Sequence, residues 1–270
     1  MKKQKKIGII MLMVLSAFTA CTPKQTKVLE EEKQQNELVV FLQRYYDRDK
    51  ETGNSIQQDE LITEREHRLA VFQDSIGVFH NIKGKIDRIR ANDERGLKIL
   101  EYDIVVQETS SFKLDLRCKY IIPRDSSKTD YLFNYIKSLS NSTEVYVDGA
   151  IAMDFSRHID NYGGGRTVTT TILLPSCLST HDKDLRFKNP IYIFNVSALS
   201  TDPLPDLSPK LLNAIKLWRK VLTDKIWKKH TKEVNENITA FKKASELLSM
   251  TENDYLSEYI KACTNDLPSK

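Results

Sequence analysis

The chain is 270 residues long, 40% hydrophobic, and carries 41 Lys+Arg against 37 Asp+Glu. Four of the lysines fall at positions 2, 3, 5 and 6, which leaves 37 cations against 37 anions beyond that basic start. A net charge of zero over the remainder argues against nucleic acid as a ligand, because phosphate binding draws on a surplus of Lys and Arg.

Residues 1–6 are basic, residues 7–18 form an apolar run too short to span a bilayer, and Thr19-Ala20-Cys21 follows. This is the layout of a secretory signal, with a small residue before the cut. The Cys placed directly after Ala20 makes it look like a bacterial lipoprotein signal, in which the Cys is acylated and becomes the mature N-terminus. On that resemblance residues 1–20 are the signal peptide and Cys21 is the lipidation site. The mature chain, about 250 residues, is then held in the cell envelope, at the outer membrane. Each buried CH₂ of an acyl chain adds roughly 0.8 kcal/mol, so several chains anchor firmly. An ordinary signal peptide or an uncleaved anchor are the alternatives.

Residues 21–27 are polar, contain Pro23 and read as a tether. Residues 28–76 are predicted to hold two helices. In the first, Leu38, Val39, Phe41, Leu42 and Tyr45 fall at helical spacing, and Glu30, Glu31 and Glu32 suit the positive end of the helix dipole. Thr52-Gly53-Asn54-Ser55 breaks it. The second, over 57–74, has Leu61, Ile62, Leu69, Ala70 and Phe72 as its apolar positions. The pair either packs on the β domain next in the chain or forms a stalk.

Five strands are predicted in that domain, over 79–90, 97–107, 112–122, 144–153 and 167–174. The third has the clearest pattern. Phe112, Leu114, Leu116, Cys118 and Tyr120 alternate with Lys113, Asp115, Arg117 and Lys119, a period of two that sets one face on a core and one in water. Pro123 ends it. Gly84 and Gly149 lie inside the first and fourth strands, where a glycine marks a bulge or a sharp bend. Between the third and fourth strands, Tyr131, Leu132, Tyr135, Ile136 and Leu139 recur at helical spacing.

The order β-β-β-α-β-β resembles the OB-fold, and more narrowly the OB-like (tRNA_anti-like) domains of exported bacterial proteins and lipoproteins. The residues that carry the likeness are Asn81-Ile82-Lys83-Gly84-Lys85-Ile86-Asp87-Arg88-Ile89 and Glu144-Val145-Tyr146-Val147-Asp148-Gly149. The resemblance implies an α+β fold: a five-stranded OB-like β-barrel over 77–198, flanked by N-terminal helices over 28–76 and a C-terminal helical region over 199–270. OB barrels bind ligands on the face of strands two and three and on two loops. Those loops would be 91–96 and 154–166. With Arg90 beside them they supply Arg95, Arg157, His158, Tyr162 and Arg166, and Arg with an aromatic suits stacking and anion contacts. We take Arg95, Arg157, Tyr162 and Arg166 as the candidate ligand-binding residues. Plain solvated loops are the alternative.

Residues 181–189 are polar, and Pro190 to Val196 reads as one further strand that could extend the sheet. Pro203, Pro205 and Pro209 mark a linker. Ser208-Pro209 is a helix start, with Ser as N-cap and Pro at the first helical position. Leu211, Leu212, Ile215, Trp218, Val221, Leu222 and Ile226 follow as one stripe; Val234, Ile238, Phe241, Leu247 and Leu248 form a second. Residues 251–254 resemble a variant capping box ahead of Tyr255, Leu256, Tyr259 and Ile260.

Chemistry is sparsely signalled. Beyond Cys21, the cysteines are Cys118, Cys177 and Cys263, an odd number with no CxxC. An exported context permits a Cys118–Cys177 bridge between neighbouring strands; buried free thiols are the alternative. The five His are scattered, and no metal site or cofactor is expected. Hydrolase and phosphate-loop signatures are lacking. Gly163-Gly164-Gly165 reads as a hairpin tip, and nothing shows Asp148, Asp154 and Asp160 converging. The expected function is that of a lipid-anchored binding or interaction module, not an enzyme, whose partner is an envelope protein or a glycan. An envelope enzyme with an unrecognised site is the alternative.

Overall fold

The computed structural model describes residues 38–162, 166–181, 185–226 and 231–264, without the side chains of 154–174, 180–181 and 224–231. Cys21 and the predicted tether lie outside the described residues. The helices are α1 (residues 38–51), α2 (Ser55–Ile76), α3 (Tyr131–Ser138), α4 (Pro209–Ile226), α5 (Thr231–Ser245) and α6 (Met250–Thr264). The strands are β1 (Phe79–Glu94), β2 (Leu97–Glu108), β3 (Lys113–Pro123), β4 (Glu144–Ile151), β5 (Met153–Tyr162), β6 (Arg166–Pro175) and β7 (Ile191–Ser200).

Five strands close a barrel in the order β1-β2-β3-β7-β4. β3 and β7 run parallel, and the other neighbours are antiparallel. With α3 between the third and fourth barrel strands, this is an OB-like α+β fold. β1 serves two partners: Phe79 to Lys85 pair β4, and Lys85 to Glu94 pair β2. Gly84 lies at the crossing point. A Cβ there would come within 2.4 Å of Ile104 Cγ2 and 2.9 Å of the Val105 carbonyl oxygen, so only glycine lets the strands approach. Gly149 sits at a register shift between β4 and β7, and a Cβ would lie 2.1 Å from the Asn195 carbonyl oxygen.

The barrel interior is filled from alternate positions of every strand. Ile82, Ile86, Leu100, Ile104, Leu114, Leu116, Val145, Val147, Tyr192 and Phe194 are all buried, and α3 adds Phe133 and Ile136. Leu38 and Leu42 of α1 and Leu69 of α2 join the same core, so these helices pack on the barrel and are not a stalk. Gln73 ties α2 to the end of β4: its Nε2 donates to the Ile151 carbonyl at 2.9 Å, and its Oε1 accepts from the Ile151 N–H at 2.6 Å. A second core joins Val78 and Ala150 to Leu211, Ala214, Ile215 and Trp218 of α4 and to Leu256 and Tyr259 of α6.

Four sequence expectations are corrected. The fifth barrel strand is β7, not 167–174. That segment lies in β6, which pairs only β5 in a separate hairpin inserted between β4 and β7. β7 is drawn in because the chain before it is already pinned to β3, through Lys113 N–H to the Lys188 carbonyl (2.9 Å) and Asp115 N–H to the Pro190 carbonyl (3.2 Å). The predicted loop 154–166 is therefore mostly the strand β5, and the loop 91–96 shrinks to a turn at Arg95 and Gly96, with φ of 47° and 82°. Two central residues of positive φ match a type I′ hairpin, whose twist suits the strands. Trp218, on the apolar stripe of α4, is buried edge-on to Tyr259. The capping box sits two residues earlier than expected: Glu252 N–H donates to Ser249 Oγ (3.3 Å) and Ser249 N–H to Glu252 Oε2 (2.8 Å). The Ser208 cap is as expected, accepting from the Leu211 N–H at 3.1 Å.

Candidate functional site

The outer face of β2 and β3 is a ladder of opposed charges. Asp103 lies opposite Arg117, which grips it at 2.8 Å through Nε and 3.2 Å through Nη2. Arg88 on β1 adds a second cation at 3.2 Å, and Lys113 sits 3.1 Å from Asp115. Asp103 and Asp115 are buried although their strand positions face outward. Asp115 Oδ1 has no hydrogen-bond partner among the described residues, and burial pushes the carboxyl up despite Lys113. Both signs are interspersed here, so a run of phosphates would meet carboxylates as well as cations.

The candidate loop residues are only partly gathered. Arg95 is exposed at the β1–β2 turn. Tyr162 and Arg166 are direct partners at the turn end of the β5–β6 hairpin, and Arg157 pairs Thr171 further along it. The side chains of Arg157, His158, Tyr162 and Arg166 lie outside the described part, as do Gly163-Gly164-Gly165 and the side chains of Asp154 and Asp160. The hairpin stands where an OB barrel has its loop between the fourth and fifth strands.

Two buried polar clusters join the barrel to its helices, and the sequence showed neither. In the first, Asp148 is fully buried on β4. It accepts from the Asn81 N–H at 2.7 Å and from the Tyr255 hydroxyl at 2.7 Å, with His80 Nδ1 at 2.9 Å from both carboxylate oxygens. Burial and the Asp148 charge push the Tyr255 phenol well above its usual range. The pairing of Phe79 with Gly149 is what brings His80 beside Asp148. That is a long-range register, and no local pattern announces it.

In the second cluster, the buried Arg65 of α2 holds Glu66 at 2.7 Å and the Arg186 carbonyl at 2.5 Å. Tyr192 donates to Glu66 at 3.2 Å. Burial raises the Glu66 carboxyl, and its Oε2 has no partner among the described residues. Cys177 Sγ lies 3.8 Å from Arg65 and 3.4 Å from the Ser179 hydroxyl. Cys118 and Cys177 are thiols and do not bridge each other: Cys118 is enclosed in the barrel, and Cys177 pairs Tyr192 from outside the barrel strands.

Among the described residues, no group of three or more His, Cys, Asp or Glu is placed to hold a metal ion. Nor is any helix there long and apolar enough to cross a membrane. A groove of about 650 Å³ runs along α5 past Lys232, Asn235, Glu236, Thr239 and Lys243, all on that one helix. No known protein family, curated protein or solved structure matches the chain.

Proposed function

We propose that this protein is a lipid-anchored component of the bacterial cell envelope whose OB-like barrel is a binding module for an envelope protein or a glycan. The anchor is acylated Cys21, and the outer membrane is the site. The observation that carries the binding reading is the β5–β6 hairpin, twenty strand residues of paired backbone inserted at the ligand-side loop of the barrel. A rigid scaffold that projects a segment of this kind is where binding residues concentrate. The balanced charges around Asp103 and Asp115 favour a protein or sugar over nucleic acid.

The envelope-enzyme alternative draws on the His80–Asp148 pair. Both ring nitrogens and both carboxylate oxygens there already have hydrogen-bond partners, which favours the binding reading. The test is a pull-down from native envelopes comparing three proteins. They are the wild type, an Arg157/Tyr162/Arg166 triple-alanine variant, and a Leu247→Ser/Met250→Ser variant of the exposed α5–α6 corner. The triple variant should lose its partner and the corner variant keep it. If the triple variant, folded by circular dichroism, retains every partner, the hairpin is not the binding element.

A further inference from the structure

Asp148 stands where β1, the 201–208 segment and α6 meet, and the hydrogens around it can be assigned. A carboxylate offers only acceptors, so His80 Nδ1, 2.9 Å from both oxygens, carries a hydrogen. The other ring nitrogen, Nε2, faces Asn81 Nδ2 at 3.2 Å. The Asn81 amide is fixed in that sense by one backbone: Leu204 N–H donates to Oδ1 at 2.6 Å, and the Leu204 carbonyl accepts from Nδ2 at 2.9 Å. Turning the amide round would oppose donor to donor and acceptor to acceptor. Nδ2 can only donate, so Nε2 accepts, and the imidazole in this arrangement is neutral.

We propose that His80 is a proton-operated latch: neutral, it braces Asn81 against the 201–208 segment, and protonated, it lets that segment go. The added proton must sit on Nε2, which then points a donor at the donor Nδ2. The same proton turns the Nδ1–H bond to the Asp148 carboxylate, already charge-assisted through its acceptor, into an ion pair. The ring therefore stays on β4, and the Asn81 contact yields. Asn81 is also the less secure side, since its φ of 52° is a left-handed conformation that Asn tolerates only with local hydrogen bonds to hold it.

Among the described residues, the ring and its partners are met by groups from β4, α6, β7 and the 201–208 segment. β4 supplies the Asp148 carboxylate. α6 supplies Tyr255, which remains a protonated donor, and β7 reaches Tyr255 through Ser197 at 3.5 Å. The 201–208 segment supplies the Leu204 backbone. The His80 side chain is 14% exposed, so protons reach it without prior unfolding. What the segment holds is the start of α4, where Ser208 is both the N-cap and a donor to Glu252 on α6. Release at Leu204 thus loosens the seat of the C-terminal helices on the barrel.

The test is hydrogen exchange of the 201–208 peptide in the full chain, in detergent, at about pH 7.5 and about pH 5.5, the span in which an ordinary histidine changes charge. After correction for intrinsic exchange, protection in the wild type should fall about tenfold at the lower pH. In His80→Gln, whose amide still donates to Asp148 but does not titrate, it should not change. Unchanged protection in the wild type, or an equal fall in His80→Gln, overturns the latch. Should His80→Gln fail to fold, Asn81→Asp decides. Its carboxylate keeps the left-handed backbone and accepts from the imidazolium, so the fall should shrink or reverse, and an undiminished fall overturns the proposal.

Discussion

Leu116 and Arg117 are neighbours in β3 with opposite fates. Leu116 is 1% exposed inside the barrel, and Leu116→Ala should cost about 2–5 kcal/mol by urea denaturation, the range for a large-to-small change in a closed core. Arg117 points outward but does more than sit in water, because it grips the buried Asp103 through two bonds. Arg117→Ala should cost about 1 kcal/mol, since Arg88 still faces the carboxylate that would otherwise be stranded. A cost near zero would show that Arg88 alone satisfies Asp103. Arg65 is the sharper case. Removing it strands Glu66 in the interior, so Arg65→Met should cost about 3–5 kcal/mol, while Arg65→Met/Glu66→Leu should recover most of that. A double variant no better than the single would mean that the Arg186 and Cys177 contacts, not the ion pair, set the cost.

At the scale of elements, the helices are attached to the barrel by a few two-way polar contacts laid over apolar packing. Gln73 satisfies both backbone groups of Ile151 where β4 ends, and Gln73→Ala should cost about 2–3 kcal/mol for the groups it leaves bare. Glu252 is the corresponding joint between α4 and α6. It caps Ser249 and takes the Ser208 hydroxyl, and these bonds hold its carboxyl down at about 2. A depressed carboxyl stabilises the fold above its unfolded value and loses that contribution as pH falls toward the folded one. The midpoint difference between wild type and Glu252→Gln should therefore be full above about pH 4.5 and shrink steadily toward about pH 2. A difference that does not vary with pH would mean the joint works through packing, not charge.

For the molecule as a whole, the proposed acyl anchor at Cys21 is the first thing to test. Cys21→Ser should abolish acyl labelling and release the protein from the membrane, because the affinity of a lipid anchor comes from its buried chains. A Ser variant that still labels and still partitions into detergent would remove the lipoprotein reading.

What could be read from residues in order was local. The period of two over Phe112 to Tyr120 placed β3 and its inner face, Ser208-Pro209 placed the start of α4, and Gly149 marked an irregularity in β4, where the register shifts. Each follows from steric or hydrogen-bond rules that act within a few residues. Partner choice was decided by the tertiary structure alone. Residues 167–174 and 190–196 both read as strands, yet only the second closes the barrel, because backbone bonds at Lys188 and Pro190 deliver it alongside β3. The His80–Asp148 and Glu66–Tyr192 contacts span 68 and 126 residues, and no spacing rule reaches so far. Burial of Asp103 and Asp115 escaped for a related reason: alternation tells which way a side chain points, and only the packed neighbours decide whether water can reach it there.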